Sequence, residues 1–445
     1  MSNLIFKTKK ILLLVGDFIC LYLALYLALY LRNNFSVTNE SLINHFQAFT
    51  LIFGIWFLIF YINDFYNLKI NYHNTKLLIS LIKSLTINGI IAIIYFYFFT
   101  PIFTSIKPQR VLIIDLLISL ILLFFWRQIF YNLIKSSQLA NKILILGNHP
   151  LIEELIKEIN QKPQLGYRLY QLNEAPENLK EYCLENQINI LISCNELSAN
   201  NYLTAQFFEC LSLGVDIYNI NSFYELITQK IPVEYIEVSW FLENLSENSK
   251  KSFEIIKRFI DIIVALIGLF LAIFITPIIA LIIKLESRGP IIFKQVRVGK
   301  NGKNFLAMKF RSMVANAEKN GPQWATKNDQ RITRFGKIMR KTRLDEIPQL
   351  INVLRGEMSL IGPRPERPEF VEFLAKEIPF YKERLLVKPG LTGWAQLLGP
   401  AYGGSKEESL EKLKYDLYYI KNRSLLLDLS IILKTIRLIL SGKGQ

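Results

Sequence analysis

The chain has 445 residues, 51% of them hydrophobic and 20% charged, with a formal net charge of +15 and a mean hydropathy of +0.26. Single hydrophobic cores stop growing at roughly 250–300 residues, which excludes one compact soluble domain, and the apolar content excludes a disordered chain. Divided along the sequence, the charge is +7 over residues 1–140, −8 over 141–250 and +16 over 251–445, so three segments are expected.

Four apolar stretches, Ile11 to Leu31, Phe46 to Ile62, Leu77 to Phe99 and Val111 to Trp126, fill the first segment. Each is near the ~20 residues that cross a bilayer as a helix. The first lacks a convincing small-residue cleavage site and reads as a retained span. Lys7, Lys9 and Lys10 precede it, and Arg127, Lys135 and Lys142 follow the fourth stretch. Positive flanks stay inside, so both ends of this four-helix transmembrane region, residues 1–138, are expected in the cytoplasm. Asp17, Lys83 and Asp115 sit within or near the spans and read either as a lipid or proton path or as snorkelling and bundle pairing.

The acidic segment, residues 139–250, opens with KILILGNHPLIEELIKEI: an apolar β-type run, a turn at Gly147 and Pro150, and an amphipathic helix. INILISC and VDIYNI follow as further buried-strand runs, which predicts a small Rossmann-like α/β domain with a parallel sheet. Gly147 is the one glycine left of the three in a dinucleotide fingerprint, so a scaffolding or regulatory role is favoured over tight NAD or FAD binding.

The basic segment, residues 251–445, starts with a fifth apolar stretch at about 258–284, interrupted by Thr276-Pro277. Proline removes an intrahelical donor and bends a helix. Lys250, Lys251, Lys257 and Arg258 precede the stretch; Lys284, Arg288, Lys294, Arg297, Lys300 and Lys303 follow it. Basic flanks on both sides predict a helix-break-helix that enters one leaflet and returns, a re-entrant element.

This segment contains neither His nor Cys, so its chemistry must use carboxylates, hydroxyls, Lys or Arg. Leu344, Ile347, Leu350, Ile351 and Leu354 recur at helical spacing. Pro348 fits only a first turn, which predicts a helix starting near Asp345, with Asp345 and Glu346 at its N-terminus. A lone pair of acids there would be a cap. Arg340, Lys341 and Arg343 lie immediately upstream, and a cationic setting keeps a carboxylate ionised and nucleophilic while attracting a diphosphate. Gly362-Pro363-Arg364-Pro365 is a stiff turn presenting one guanidinium to a phosphate or a planar base. Lys309 and Arg311 alternate on a predicted strand, as phosphate ligands or as a solvated face. Trp394 in KPGLTGWAQ reads as a core anchor or an interfacial residue.

In this order, KRFID, KFRSM, the LDE dyad, GPRP, KPGLTGWAQ and YDLYYIKN resemble the bacterial sugar transferases, the monotopic polyprenyl-phosphate sugar-1-phosphate transferases, over Phe253 to Gly442. Four spans and a Rossmann-like domain in front match the long form of that family. Arg423 stands where the family has an aromatic residue. The resemblance implies a mostly helical, membrane-embedded catalytic domain on the cytoplasmic face of the bacterial inner membrane, acting in exopolysaccharide, capsule or O-antigen synthesis. It implies Asp345 as nucleophile toward a UDP-sugar, Glu346 as ligand of a Mg²⁺ cofactor, Lys309, Arg311 and Arg343 on phosphate oxygens, and Pro363, Arg364 and Pro365 around the uridine. Undecaprenyl phosphate is the implied acceptor and the phospholipid membrane a partner; a homodimer is allowed. The alternative is a non-catalytic membrane scaffold or regulator of polysaccharide assembly. Nucleic acid is not expected as a partner, because the basic residues flank apolar helices and no recognition motif is apparent.

Overall fold

The computed structural model describes residues 2–68, 74–99, 108–135, 140–194, 201–245, 250–314, 317, 329–400 and 405–440. The side chains of Lys7 and Lys135, and Gly442, lie outside the described residues. The chain forms two compact units, Met1–Phe223 and Tyr224–Gln445.

In the first unit, helices α1 (Ser2–Arg32), α2 (Asn39–Ile62), α3 (Asn74–Phe99) and α4 (Pro108–Lys135) form a bundle. All four are long and apolar enough to cross a membrane. Leu21 and Leu25 of α1, Phe53 and Trp56 of α2, Leu81 of α3 and Leu123 of α4 meet inside, while residues such as Ile19, Ile93 and Leu117 point outward. Helices apolar on both faces belong in a non-aqueous solvent. Gly16 lets α1 and α4 close on each other: a Cβ there would overlap the Trp126 indole. Next to this contact Asp17 and Arg127 form an ion pair with neither side chain exposed, and Arg127 also donates to Phe65 O at 3.0 Å. Asp115 is fully buried and Lys83 is exposed.

A four-stranded sheet follows, formed by β1 (Asn141–Leu146), β2 (Tyr167–Leu172), β3 (Ile190–Ser193) and β4 (Asp216–Asn219). The order is β2-β1-β3-β4 and every pairing is parallel, as in doubly wound folds. Helices α5 (Leu151–Gln161), α6 (Leu179–Glu185) and α7 (Asn201–Leu211) connect the strands, and Leu144, Leu191, Cys183, Phe207 and Cys210 fill a core between them. Helix α8 (Ile220–Thr228) carries the boundary between the units.

The second unit contains α9 (Val238–Asn244), α10 (Lys251–Glu286), the antiparallel pair β5 (Ile292–Val298) and β6 (Asn304–Phe310), then α11 (Arg334–Thr342), α12 (Gln349–Arg355) and β7 (Ser359–Ile361). Helix α13 (Pro368–Glu377), β8 (Gly390–Thr392), α14 (Trp394–Leu398), α15 (Lys406–Asn422) and α16 (Leu425–Leu440) complete it. Its main core joins Ile231, Val233 and Phe241 to Leu360, Trp394, Leu413, Leu417 and Ile420, so residues 224–245 pack here. Trp394 is a core anchor, stacked on Tyr418.

Helix α10 corrects one expectation: its 36 residues run unbroken through Pro277. Proline removes one donor, the N–H that would reach Ile273, and a long helix absorbs that loss without ending. At about 1.5 Å per residue the helix is roughly 54 Å long, and the rest of the unit follows it from end to end. Near the start, Lys257 pairs with Asp428 at 2.7 Å and Asp261 accepts from Leu360 N at 3.1 Å. Midway, Gly268 faces Leu350, whose Cδ1 a Cβ would meet at 2.8 Å. Near the end, Ile279 and Ile283 pack on Phe310 and Met339, and Glu286 accepts from Phe335 N at 2.9 Å. The opposite face exposes Phe259, Ile267, Phe270, Phe274 and Ile278.

Candidate active site

Three short elements converge on the acid pair. Helix α11 begins at Thr333, whose hydroxyl accepts from Gly336 N at 3.0 Å, and lies so close to the strand exit that a Cβ on Gly336 would stand 2.1 Å from Ser312 O. It ends at Arg343, whose φ of 59° is left-handed. That conformation costs a non-glycine residue about 1–2 kcal/mol, and it redirects the chain into a 3₁₀ turn, Leu344–Glu346. The acids therefore sit on this turn and not on the first turn of α12, which starts at Gln349 after Pro348. Proline fits the junction because no N–H is needed there.

Helix α12 is clamped to β6 by Asn352, which is fully buried. Its amide accepts from Met308 N at 3.1 Å and donates to Leu306 O at 2.8 Å. This clamp brings Lys309 to the acids, and Lys309 Nζ donates to Glu346 Oε1 at 2.8 Å. The GPRP turn arrives from the other side. Strands β7 and β8 pair in parallel, Ser359 with Gly390 and Ile361 with Thr392, and the ladder continues through Gly362 N to Thr392 O and Gly390 N to Pro363 O, each 2.9 Å. A Cβ on Gly362 would lie 2.3 Å from Lys388 O, and one on Gly393 would lie 2.2 Å from Gly362 O. Only glycine allows these backbones to approach so closely. Arg384 fixes the turn further: it donates to Arg364 O at 3.0 Å and to Asp416 at 2.8 Å. Arg364 Nη2, so aimed, donates to Glu346 Oε1 at 2.8 Å.

Glu346 is thus gripped by three cations, because Arg343 Nη1 reaches its Oε2 at 3.3 Å. Burial pushes the Glu346 carboxyl up, but Arg364, Lys309 and Arg343 together outweigh burial and hold it well below the usual carboxylate range. Asp345 behaves oppositely. Burial, and then the charge of Glu346, raise its pKa, against the pull of Lys309, Arg340 and Arg364. Its Oδ1 is buried with no hydrogen-bond partner among the described residues. One acid is an anchored anion and its neighbour an unclaimed carboxylate.

Of the residues named from sequence, Lys309, Arg343 and Arg364 meet at Glu346, and Pro363, Arg364 and Pro365 line a shallow recess with Val298, Val371 and Arg384. Arg311 goes elsewhere. It does not share a target with Lys309; its Nη2 donates to Ser287 O at 2.6 Å and Ser287 Oγ at 2.9 Å, at the end of α10. Asn352, Arg384 and Asp416 escaped the sequence reading; the signal available was a polar residue within an apolar helical repeat (Asn352) and charges within an otherwise buried helix (Asp416).

For a divalent cation the chain offers the two carboxylates of Asp345 and Glu346, and among the described residues no group of three or more His, Cys, Asp or Glu could hold a metal. Mg²⁺ is commonly held by one or two carboxylates with substrate phosphates supplying further oxygens, and Glu346, held well below the usual carboxylate range, keeps its charge for that role.

Comparison with known proteins bears on the same segment. The family model described as bacterial sugar transferase matches residues 252–442. The chain is 44% identical over 235 residues to the UDP-N-acetylgalactosamine-undecaprenyl-phosphate N-acetylgalactosaminephosphotransferase of Aeromonas hydrophila, covering 53% of this chain and 55% of that protein. It is 45% identical over 183 residues to the UDP-glucose:undecaprenyl-phosphate glucose-1-phosphate transferase of Klebsiella pneumoniae, covering 41% of this chain and 39% of that protein. It is 41% identical over 198 residues to the exopolysaccharide production protein PSS of Rhizobium leguminosarum bv. phaseoli, covering 43% of this chain and 98% of that protein. With nearly the full length of one relative covered, and the acid pair, the GPRP turn and the glycine ladder inside the matched segment, the chain belongs to the bacterial sugar transferase family.

Proposed function

We propose that the chain transfers a sugar-1-phosphate from a UDP-sugar to undecaprenyl phosphate, releasing UMP, at the cytoplasmic face of the bacterial inner membrane. The observation that carries this reading is the unclaimed Asp345 carboxylate beside a Glu346 held by three cations. Asp345 Oδ1 attacks the sugar-proximal phosphorus; the aspartyl–phosphorus bond forms as the bond to UMP breaks, and UMP leaves with the electron pair. A phosphate oxygen of undecaprenyl phosphate then attacks the same phosphorus and frees the Asp345 carboxylate. Lys309 and Arg343 hold diphosphate oxygens, and Arg364 bridges them to a uridine in the Pro363–Pro365 recess. Glu346 would hold Mg²⁺, which would offset phosphate charge. Arg311, tied to Ser287, supports the end of α10 and leaves phosphate binding to the others.

We read α10 as a re-entrant element. A helix crossing the bilayer puts its ends on opposite sides, yet one compact unit touches α10 from Lys257 to Glu286. The apolar outer face then meets lipid, and Pro277, which removes one intrahelical hydrogen bond, is the point at which the helix can bend.

The test is UMP release across a panel of UDP-sugars with undecaprenyl phosphate and Mg²⁺, starting with the N-acetylgalactosamine and glucose donors after which two relatives are named. Mass spectrometry with donor alone is expected to find a sugar-phosphate adduct on the peptide containing Asp345. Product formation with the adduct on another residue overturns the mechanism; no UMP release from any donor favours the scaffold reading.

A further inference from the structure

A second, small cleft lies at the C-terminal end of α12 and is lined by Glu254, Lys257, Arg258 and Asp261 of α10 together with Lys388 and Arg423. Its charges do not balance. Lys257 is taken by Asp428 at 2.7 Å, Glu254 accepts from Arg423 Nε at 2.9 Å, and Asp261 accepts from Leu360 N. Arg258 spends Nη1 and Nη2 on neutral acceptors, Val353 O at 2.6 Å and Leu354 O at 2.8 Å. Lys388 Nζ has no hydrogen-bond or ion-pair partner among the described residues.

The two cations with no carboxylate in ion-pair contact are neighbours. Lys388 Nζ and Arg258 Nη2 lie 3.5 and 3.6 Å from the single point that a Cβ on Gly356 would occupy. Like charges brought together in a half-buried cleft repel: burial, then Arg258, push the Lys388 ammonium down, and the attraction of Asp261 and Glu254 offsets only part of this. An anion between them relieves both costs. The surroundings indicate where that anion comes from: next to Arg258 along α10, Ile255 and Phe259 are 71% and 66% exposed, and Leu426, two residues before Asp428 on α16, is 80% exposed. The Lys257–Asp428 pair joins the two helices. A free anion needs no apolar border, whereas a headgroup carrying hydrocarbon does.

We propose that Arg258 and Lys388 bind the phosphate of a membrane lipid, with the lipid tail lying over the apolar border of α10 and α16. The transferase reading enters only in which lipid is favoured, the polyprenyl phosphate acceptor or an acidic phospholipid. The phosphate contacts are the same for both.

The experiment uses the full chain in phosphatidylcholine nanodiscs doped with undecaprenyl phosphate or with phosphatidylglycerol, and native mass spectrometry to count retained lipid. Wild type should retain the phosphate-bearing dopant, Lys388→Gln should lose at least tenfold in retention, and Lys388→Arg should restore it. Preference for undecaprenyl phosphate identifies an acceptor site, and equal retention of both identifies a general acidic-lipid site. Release of the lipid by millimolar inorganic phosphate alone, or wild type favouring neither dopant over phosphatidylcholine, overturns the proposal. So does unchanged retention in both Lys388→Gln and Lys388→Glu. Failure of UMP release in the wild type sinks the transferase reading and leaves the retention result to be judged by itself.

Discussion

Two of the places where an acid is buried against arginine differ in stoichiometry. In the helical bundle Asp17 faces one guanidinium, Arg127, with both side chains sealed from solvent. At the other, Glu346 is shared by Lys309, Arg343 and Arg364, with Arg340 close enough to act on Asp345. A one-to-one buried pair offsets the desolvation of its members and leaves nothing over for a ligand. A cluster with more cations than anions has its charge deficit satisfied only when an anion arrives, which is how a site for a diphosphate differs from an internal clasp.

The contrast can be broken experimentally, and the largest effect belongs to Asp345. Asp345→Asn should lower UMP release by about 10⁴-fold or more, the scale on which nucleophile removal acts, and should abolish the adduct while leaving the melting temperature close to wild type. Turnover persisting after deamidation is excluded would show that the oxygen comes from elsewhere.

Arg127→Met tests the clasp. Stranding a buried carboxylate costs about 3–5 kcal/mol, so thermal stability in detergent should fall sharply, whereas UMP release per folded molecule should not. A variant as stable as wild type would mean that Asp17 has another partner.

A smaller effect is expected from Glu346→Gln, about 10²-fold in UMP release, of which excess Mg²⁺ recovers part. This variant also carries a signed pH prediction. The raised pKa of Asp345 puts the acid limb of UMP release above the ordinary aspartate range, and activity falls as pH drops through it. Removing the neighbouring negative charge should move that limb to lower pH. For stability the two acids act in opposite senses. Glu346, with its depressed pKa, contributes above its unfolded pKa and loses that contribution as pH falls through the folded value. Asp345, with its raised pKa, contributes below its unfolded pKa and loses that contribution as pH rises through the folded one. An acid limb that stays put in Glu346→Gln would remove the coupling between them.

What could be read from the sequence follows from what is local. The bundle helices announce themselves by length and hydropathy, β1 and β3 by short apolar runs with parallel-sheet burial, and β4 by the run VDIYNI although it is only half-buried. Strand β2 went unread because it lies at the sheet edge, where YRLYQL has only half-buried and exposed positions around Arg168. The dyad, the GPRP turn and Lys309 were legible as motifs, but their convergence on one carboxylate was not. That meeting depends on Asn352 pinning α12 to β6 and on Arg384 reaching Asp416 across 32 positions. The placement of the acids on a 3₁₀ turn depends on one left-handed residue, Arg343, whose side chain gives no hint of its backbone. The contact of Arg311 with Ser287 was not legible either, because it joins the residue after β6 to the end of α10, 24 positions back.

The dependence of α10 on partners far along the chain has a consequence for synthesis. Lys257 waits for Asp428 and Asp261 for the Leu360 amide, yet translation runs from the N-terminus at about 5–20 residues per second. For on the order of ten seconds the nascent helix has left the ribosome before the partner of Lys257 exists. During that interval its insertion depth can be set only by Pro277 and by the lysines and arginines beside it. The later-made domain then closes over a helix already seated, and its ion pairs act as latches on an orientation decided before they formed.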